Sequence, residues 1–315
     1  MRVVSLGSGS SGNALLVEAG PQGRTKLLVD AGLGGNVLRE RLRRVGVQVG
    51  QLQGTLVTHE HSDHVIGLPS LMKRHAIPVI ADPRTYKALE DGLISGVWRT
   101  DSGALVPAPE DDTRAIQVAR SVNNALLDVG EEQIGARTLA LQVGTRRVIG
   151  DIEVTSFPIS HDAVAPCGYL LSAGGCRVCI VTDSGEVTPE MVASIGLADL
   201  LILEANHDRQ RLLRGPYPAH LKQRILSSTG HLSNDQAADT VLRTWRPDSV
   251  RWLWLAHISR TNNTPALALR SVRARLQAAG ANLTQLHISA LPPDMGGVWD
   301  STQLWQTRSL WEMSR

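Results

Sequence analysis

The densest chemistry in the chain lies in six consecutive residues, His59-Glu60-His61-Ser62-Asp63-His64. Imidazole nitrogen and carboxylate oxygen together suit Zn²⁺, Mn²⁺ or Fe²⁺. In extended backbone, residues two apart point the same way, so His59 and His61 can grip one ion. Asp63 and His64 then turn back toward a second ion as the chain enters a helix. Further donors follow at intervals. His161 ends a strand expected over 151–160, Asp183 follows the apolar run 178–181, and His257 follows the apolar run 252–256. Each is the first strongly coordinating residue after a buried strand, and loops at strand ends are where α/β folds place their chemistry.

Two features favour phosphate esters as the substrate of such a centre. His231 lies just before a helix start, where Ser233 as N-cap and Gln236 three positions later form a capping-box pattern. A helix N-terminus attracts anions, so His231 is placed to bind a phosphate oxygen or to protonate a leaving alkoxide. Residues 209–224 hold Arg209, Arg211, Arg214, Lys222 and Arg224 with no acidic residue, and Tyr217 sits between two prolines. A strip of this kind can track a nucleic-acid backbone, although most charge runs are solvated helix faces. His207 and Glu204 are candidates to support the ions, and His207 also to contact substrate. The basic cluster 39–44 is interrupted by Glu40 and reads as an exposed helix.

Placing these residues requires buried strands that stop where the ligands start. Strands are expected over 2–6, 14–18, 26–30, 54–58 and 78–81, with helices over 36–44 and 65–75 and another starting at Pro83. Regularity returns with strands over 151–157, 168–171, 177–182, 200–204, 251–256 and 285–289, and helices over 234–245 and 266–279. Strand, loop and helix recur in both halves, which describes an α/β protein with two sheet-forming halves. Residues 99–144, with Pro107, Pro109 and an acidic run, read as an insertion in a single domain spanning 1–315.

Bulk composition narrows the class. The 42% hydrophobic and 20% charged residues exclude extensive disorder, and a net charge of +2 gives no global reason to bind nucleic acid. The start MRVVSLGSGS lacks the basic and apolar regions of a signal peptide, and no apolar run is long enough to span a membrane. Three cysteines, Cys167, Cys176 and Cys179, do not form a disulfide framework and fit a reducing cytoplasm.

The arrangement HxHxDH followed by lone His, Asp and His resembles the metallo-β-lactamase superfamily. It is closer still to the WalJ/YycJ-type branch, related to RNase Z-like phosphodiesterases. The motifs LGSGSSGN (6–13), LLVDAG (27–32), THEHSDH (58–64), SHDA (160–163), VTDSG (181–185), LILEANHD (201–208), GHLSN (230–234) and LAHISRTNNTP (255–265) carry that likeness. The resemblance implies a four-layer αβ/βα sandwich with two divalent ions, Mn²⁺ or Zn²⁺ with Fe²⁺ also compatible, in a cleft between the sheet edges. It implies that His59, His61 and His161 hold one ion, that Asp63, His64 and His257 hold the other, and that Asp183 bridges them. Two such ions acidify a shared water to hydroxide, which Asp63 can orient, and stabilise charge on a phosphoryl oxygen. His231 resembles the histidine of the equivalent RNase Z motif. The intervals from Asp183 to His257 and from His161 to Asp183 are too short for a β-CASP domain or an RNase Z tRNA-binding arm. The resemblance therefore implies a compact DNA exonuclease connected with DNA repair or replication, with no membrane partner and with dimerisation left open.

Other signals are discounted. Gly7, Gly9 and Gly12 satisfy GxGxxG, but a strand follows where a dinucleotide site needs a helix, so a tight turn between strands is expected. Cys176 and Cys179 lie in a strand, where positions three apart face opposite sides. Trp299, Trp305 and Trp311 are expected to pin the C-terminal segment, and His75, His220 and His287 to be structural. Two other readings stand beside the nuclease. A small-molecule (thio)ester hydrolase of the glyoxalase II type would need neither His231 nor the basic strip. A non-catalytic protein that has kept the fold would not need the full ligand set.

Overall fold

The structure, a computed structural model, describes residues 1–95, 97–99, 105–107, 138–246 and 250–304. The first sheet is built from β1 (Arg2–Gly7), β2 (Ala14–Ala19), β3 (Thr25–Val29), β4 (Gly54–Leu56) and β5 (Val79–Ala81). A short pair, β6 (Val97–Arg99) and β7 (Leu105–Pro107), stands apart, and β8 (Thr138–Ala140) rejoins the sheet beside β5. The second sheet holds β9 (Arg146–Ile149), β10 (Ile152–Pro158), β11 (Cys167–Ala173), β12 (Cys176–Val181), β13 (Leu200–Glu204), β14 (Arg251–Ala256) and β15 (Leu286–Ala290). A last strand, β16 (Val298–Asp300), pairs with β1. The strand orders are β16-β1-β2-β3-β4-β5-β8 and β15-β14-β13-β12-β11-β10-β9. Each sheet is antiparallel at one side and parallel at the other, the change falling at β3 in the first and at β12 in the second.

Side chains alternate across each strand, so both faces of both sheets need cover. Leu15, Val17, Leu27 and Val29 point inward and meet Val154, Leu171, Val178 and Ile202 of the other sheet. Their neighbours Leu16 and Leu28 point outward and pack with Leu38 and Leu42 of α1 (Gly35–Arg44). On the far side, Leu201 and Leu203 pack with residues of three helices that follow α2 (Ser62–Val65), α3 (Leu68–His75) and α4 (Pro83–Ser95) in the chain. These are α5 (Pro189–Ile195) and, beyond the short α6 (Arg209–Arg214) and α7 (Ala219–Ile225), α8 (Asn234–Arg243) and α9 (Pro265–Ala278). The result is the expected four-layer αβ/βα sandwich. Cys176 lies in the inter-sheet core and Cys179 in the outer one, as positions three apart in a strand require. Trp299 is buried between the sheets, whereas Trp305, Trp311 and most of 99–144 lie outside the described residues.

Several elements differ from expectation. The helix expected over 65–75 is two, because Gly67 packs its backbone against Ala31 (N–H to O 2.7 Å) and Pro69 must sit in a first helical turn. The strand before His161 stops at Pro158, since Ile159 bonds Pro166 and the chain leaves the sheet. Residues 209–224 form two short helices separated by Pro216 and Pro218 rather than one basic face. The helix Pro189–Ile195, started by a Thr188 cap and Pro189, and the edge strands β9 and β16 were not expected. The Ser233–Gln236 capping box is present.

The two sheets are tied together where the metal-binding motif begins. The Tyr169 hydroxyl of β11 donates to the Val57 carbonyl at 2.6 Å, and the Cys167 N–H donates to the Thr58 carbonyl at 3.1 Å. Tyr169→Phe is expected to lower unfolding free energy by about 1–2 kcal/mol, because the Val57 carbonyl stays buried without its strongest donor. A urea midpoint unchanged from wild type would show that this bond contributes nothing to holding the sheets together.

Candidate metal centre

Ends of strands from both sheets deliver the seven predicted metal residues to one place. His59, His61, Asp63 and His64 follow β4, His161 follows β10, Asp183 follows β12 and His257 follows β14. All seven are buried. Ligand atoms of His59, His61 and His161 lie within 4.8 Å of one another, and so do those of Asp63, His64 and His257. Asp183 joins the groups: one carboxylate oxygen is 2.8 Å from His64 Nε2, and the other is 2.9 Å from His257 Nδ1. His59 Nε2 is buried with no hydrogen-bond partner, as an inward-facing donor awaiting a cation would be.

In four of the five ligand imidazoles the opposite nitrogen is held. His59 Nδ1 lies 3.0 Å from Thr58 Oγ1, His161 Nδ1 3.1 Å from the Thr229 carbonyl, His64 Nδ1 2.7 Å from Asp30, and His257 Nδ1 2.9 Å from Glu204. Such contacts fix tautomer and ring orientation, leaving Nε2 of these four rings for a metal. Asp30 also accepts from the Thr58 N–H and hydroxyl. Glu204, fully buried, accepts from the Ser184 and Leu232 N–H groups as well as facing His231 and His257. His231 sits between the two groups, its ring 5.3 Å from His161 and 5.4 Å from His257, with Nδ1 2.8 Å from Glu204.

The backbone is bent to make this possible. Asp30, Asp183 and His257 each follow a buried strand and take left-handed conformations, with φ of 59°, 58° and 49°. Gly32 passes so close to the metal motif that a Cβ there would lie 1.5 Å from the Asp63 carbonyl oxygen.

Charge follows from this crowding. Burial lowers His59 and His61, the latter to about 4, so both are neutral and able to ligate. Burial opposes ionisation of Asp63 and Asp183, but the surrounding histidines hold both well below the usual carboxylate range. Burial likewise opposes charge on His231, yet Glu204 and Asp183 carry it up to about 9. Burial holds the His207 imidazole down at about 4.

The expected substrate-contacting residues divide. Arg209, Arg211 and Arg214 are exposed on α6. Arg224 is not free, because its guanidinium grips Asp162 at 2.6 and 2.9 Å, and Asp162 adjoins His161. Lys222 donates to the Leu213 carbonyl at 2.8 Å. His207 is fully buried, with neither ring nitrogen hydrogen-bonded. Asp30 was missed by sequence reading, although Asp30-Ala31-Gly32 after a buried strand parallels Asp183-Ser184-Gly185. Glu204, a candidate from the sequence to support the ions, faces His231 and His257. Glu204→Ala is expected to cost about 3–5 kcal/mol, since two N–H groups and two imidazoles lose a buried anionic partner. Glu204→Gln, which keeps an acceptor, should cost clearly less by denaturant unfolding; equal losses would show that charge is what matters there.

Comparison with known proteins agrees with this architecture. A family model described as beta-lactamase superfamily domain matches residues 25–258. The exodeoxyribonuclease YycJ of Bacillus anthracis is 34% identical over 275 residues, covering 87% of this chain and 89% of the relative. The exodeoxyribonuclease WalJ of Streptococcus pneumoniae is 33% identical over 263 residues, covering 84% and 83%. The crystal structure of the metallo-β-lactamase-fold protein YhfI from Bacillus subtilis superposes with a TM-score of 0.59 at 18% identity, covering 95% of this chain and 98% of that one. The chain belongs to the β-lactamase superfamily, in the branch that contains YycJ and WalJ.

Proposed function

We propose that the protein is a divalent-metal-dependent phosphodiesterase that degrades DNA from an end. The observation that carries this reading is the pair of ligand groups joined at Asp183, with His231 placed between them by Glu204. DNA as the polymer is supported by the likeness to the exodeoxyribonucleases YycJ and WalJ, and by the exposed guanidinium groups of Arg209, Arg211 and Arg214.

We assign His59, His61 and His161 to one ion, Asp63, His64 and His257 to the other, and Asp183 to both. Four buried carboxylates, Asp30, Asp63, Asp183 and Glu204, converge here, and that concentration of negative charge favours two divalent cations, Mn²⁺ or Zn²⁺. When bound, the ions supply an acidified water and stabilise charge on the phosphoryl oxygens. The chain's residues do the rest. Asp63 accepts a hydrogen bond from the attacking water and so aims it. His231 has Nδ1 turned to Glu204, which leaves Nε2 for the substrate; protonated there, it gives its proton to the departing sugar oxygen. Exposed arginines of α6 bind phosphates along the strand.

End-labelled linear DNA incubated with the purified protein and added Mn²⁺ or Zn²⁺ tests this, with a thioester run in parallel. Progressive shortening is expected, abolished by chelation and by Asp63→Ala. Inert DNA with thioester turnover would move the protein to the small-molecule hydrolases. His231→Ala is expected to slow cleavage by about 10²–10⁴-fold with metal content unchanged. Loss of bound metal in that variant would make His231 a ligand or a support instead of an acid.

A further inference from the structure

The glycine-serine turn between β1 and β2 has no role in the chemistry above, yet it runs into the second ligand group. Gly9 and Gly12, with φ of 124° and 140°, fold the turn so that Asn13 is buried against the metal motif. Every polar atom of Asn13 has a partner, and both of its nitrogens meet that motif. Its N–H donates to the Asp63 carbonyl at 2.8 Å, and its carbonyl accepts from Gly32 N–H at 2.8 Å. Its side-chain oxygen accepts from Gly9 N–H at 2.8 Å. Its side-chain amide nitrogen lies 3.2 Å from Asp63 Oδ2 and 3.1 Å from His64 Nε2. The same turn holds the third member of the group, since His257 N–H donates to Ser8 Oγ at 2.9 Å.

We propose that Asn13 is a positioning residue for the second ion: its amide fixes the Asp63 carboxylate in the orientation that lets Asp63, His64 and His257 close on one cation. The proposal rests on the two-ion reading. A carboxylate turns freely about its last torsion unless something holds it. Asp63 Oδ2 is the atom 3.3 Å from His257 Nε2, so it faces the ion position. Each carboxylate oxygen has two lone pairs; the Asn13 amide takes one and leaves the other for the ion. An aspartate at position 13 would oppose the charge of Asp63, and a shorter side chain would not reach it. Asparagine meets both demands, accepting from Gly9 and donating to Asp63 with no charge of its own. The first group, His59, His61 and His161, shares none of these side-chain contacts.

Metal-stripped protein titrated with Mn²⁺ in a calorimeter tests the proposal, with anomalous scattering from crystals locating the bound ions. Wild type is expected to bind two equivalents; fewer would overturn the two-ion reading itself. Asn13→Ala is expected to bind the first equivalent unchanged and the second about 10–100-fold more weakly, with scattering lost beside Asp63, His64 and His257. Asn13→Ser keeps a small polar group beside Gly9 and guards against a folding defect; the same selective loss is expected. Two ions bound as tightly as in wild type would overturn the proposal, even with activity lost, and so would equal weakening of both sites.

Discussion

The centre depends on burying carboxylates beside imidazoles at the mouth of a two-sheet sandwich. Asp63, Asp183 and Glu204 would not stay ionised alone in an apolar core, and they do so here because histidines, backbone N–H groups or both surround them. Asp30 and Glu204 hold histidines from opposite sides. Asp30 follows a strand of the first sheet and holds His64; Glu204 ends a strand of the second and holds His231 and His257. Across the cleft, Asp183 faces His64 and His257 faces Asp63, so the sheets are registered to each other by charge as well as by the apolar contacts between them.

Geometry at the strand ends comes from backbone that most side chains avoid. Asp30, Asp183 and His257, each just past a buried strand, are left-handed. Glycines make the close approaches beside them. Gly32 leaves room for the Asp63 carbonyl, and Gly185 leaves room for the 228–230 segment that carries the chain to His231. The strain is local, and the surrounding hydrogen bonds sustain it.

Much of this was legible because strands in α/β sheets end where chemistry starts. The apolar runs before His59, Asp183 and His257 named both the strand and the residue that leaves it. Ser233 and Gln236 gave the helix behind His231. What stayed hidden were partnerships between residues far apart in the chain. Nothing near Arg224 in the sequence shows that Asp162 holds its guanidinium, so a half-buried pair read as part of an open basic strip. Asn13, in a run of glycine and serine, carries no local sign of metal chemistry, and its meaning comes only from the Asp63 it touches. The halves of the 65–75 segment separate because of a backbone contact with Ala31, which periodicity does not encode.

The division of the cluster between the sheets has a mechanical consequence. His59, His61, Asp63 and His64 belong to the first sheet, and His161, Asp183 and His257 to the second. Any cation gripped by members of both is a clasp across the sandwich, and pulling the layers apart must break it. Binding free energy then appears as resistance to unfolding that grows with the logarithm of free-ion concentration. The sandwich is in that sense a buckle, its tightness set by the supply of metal around it.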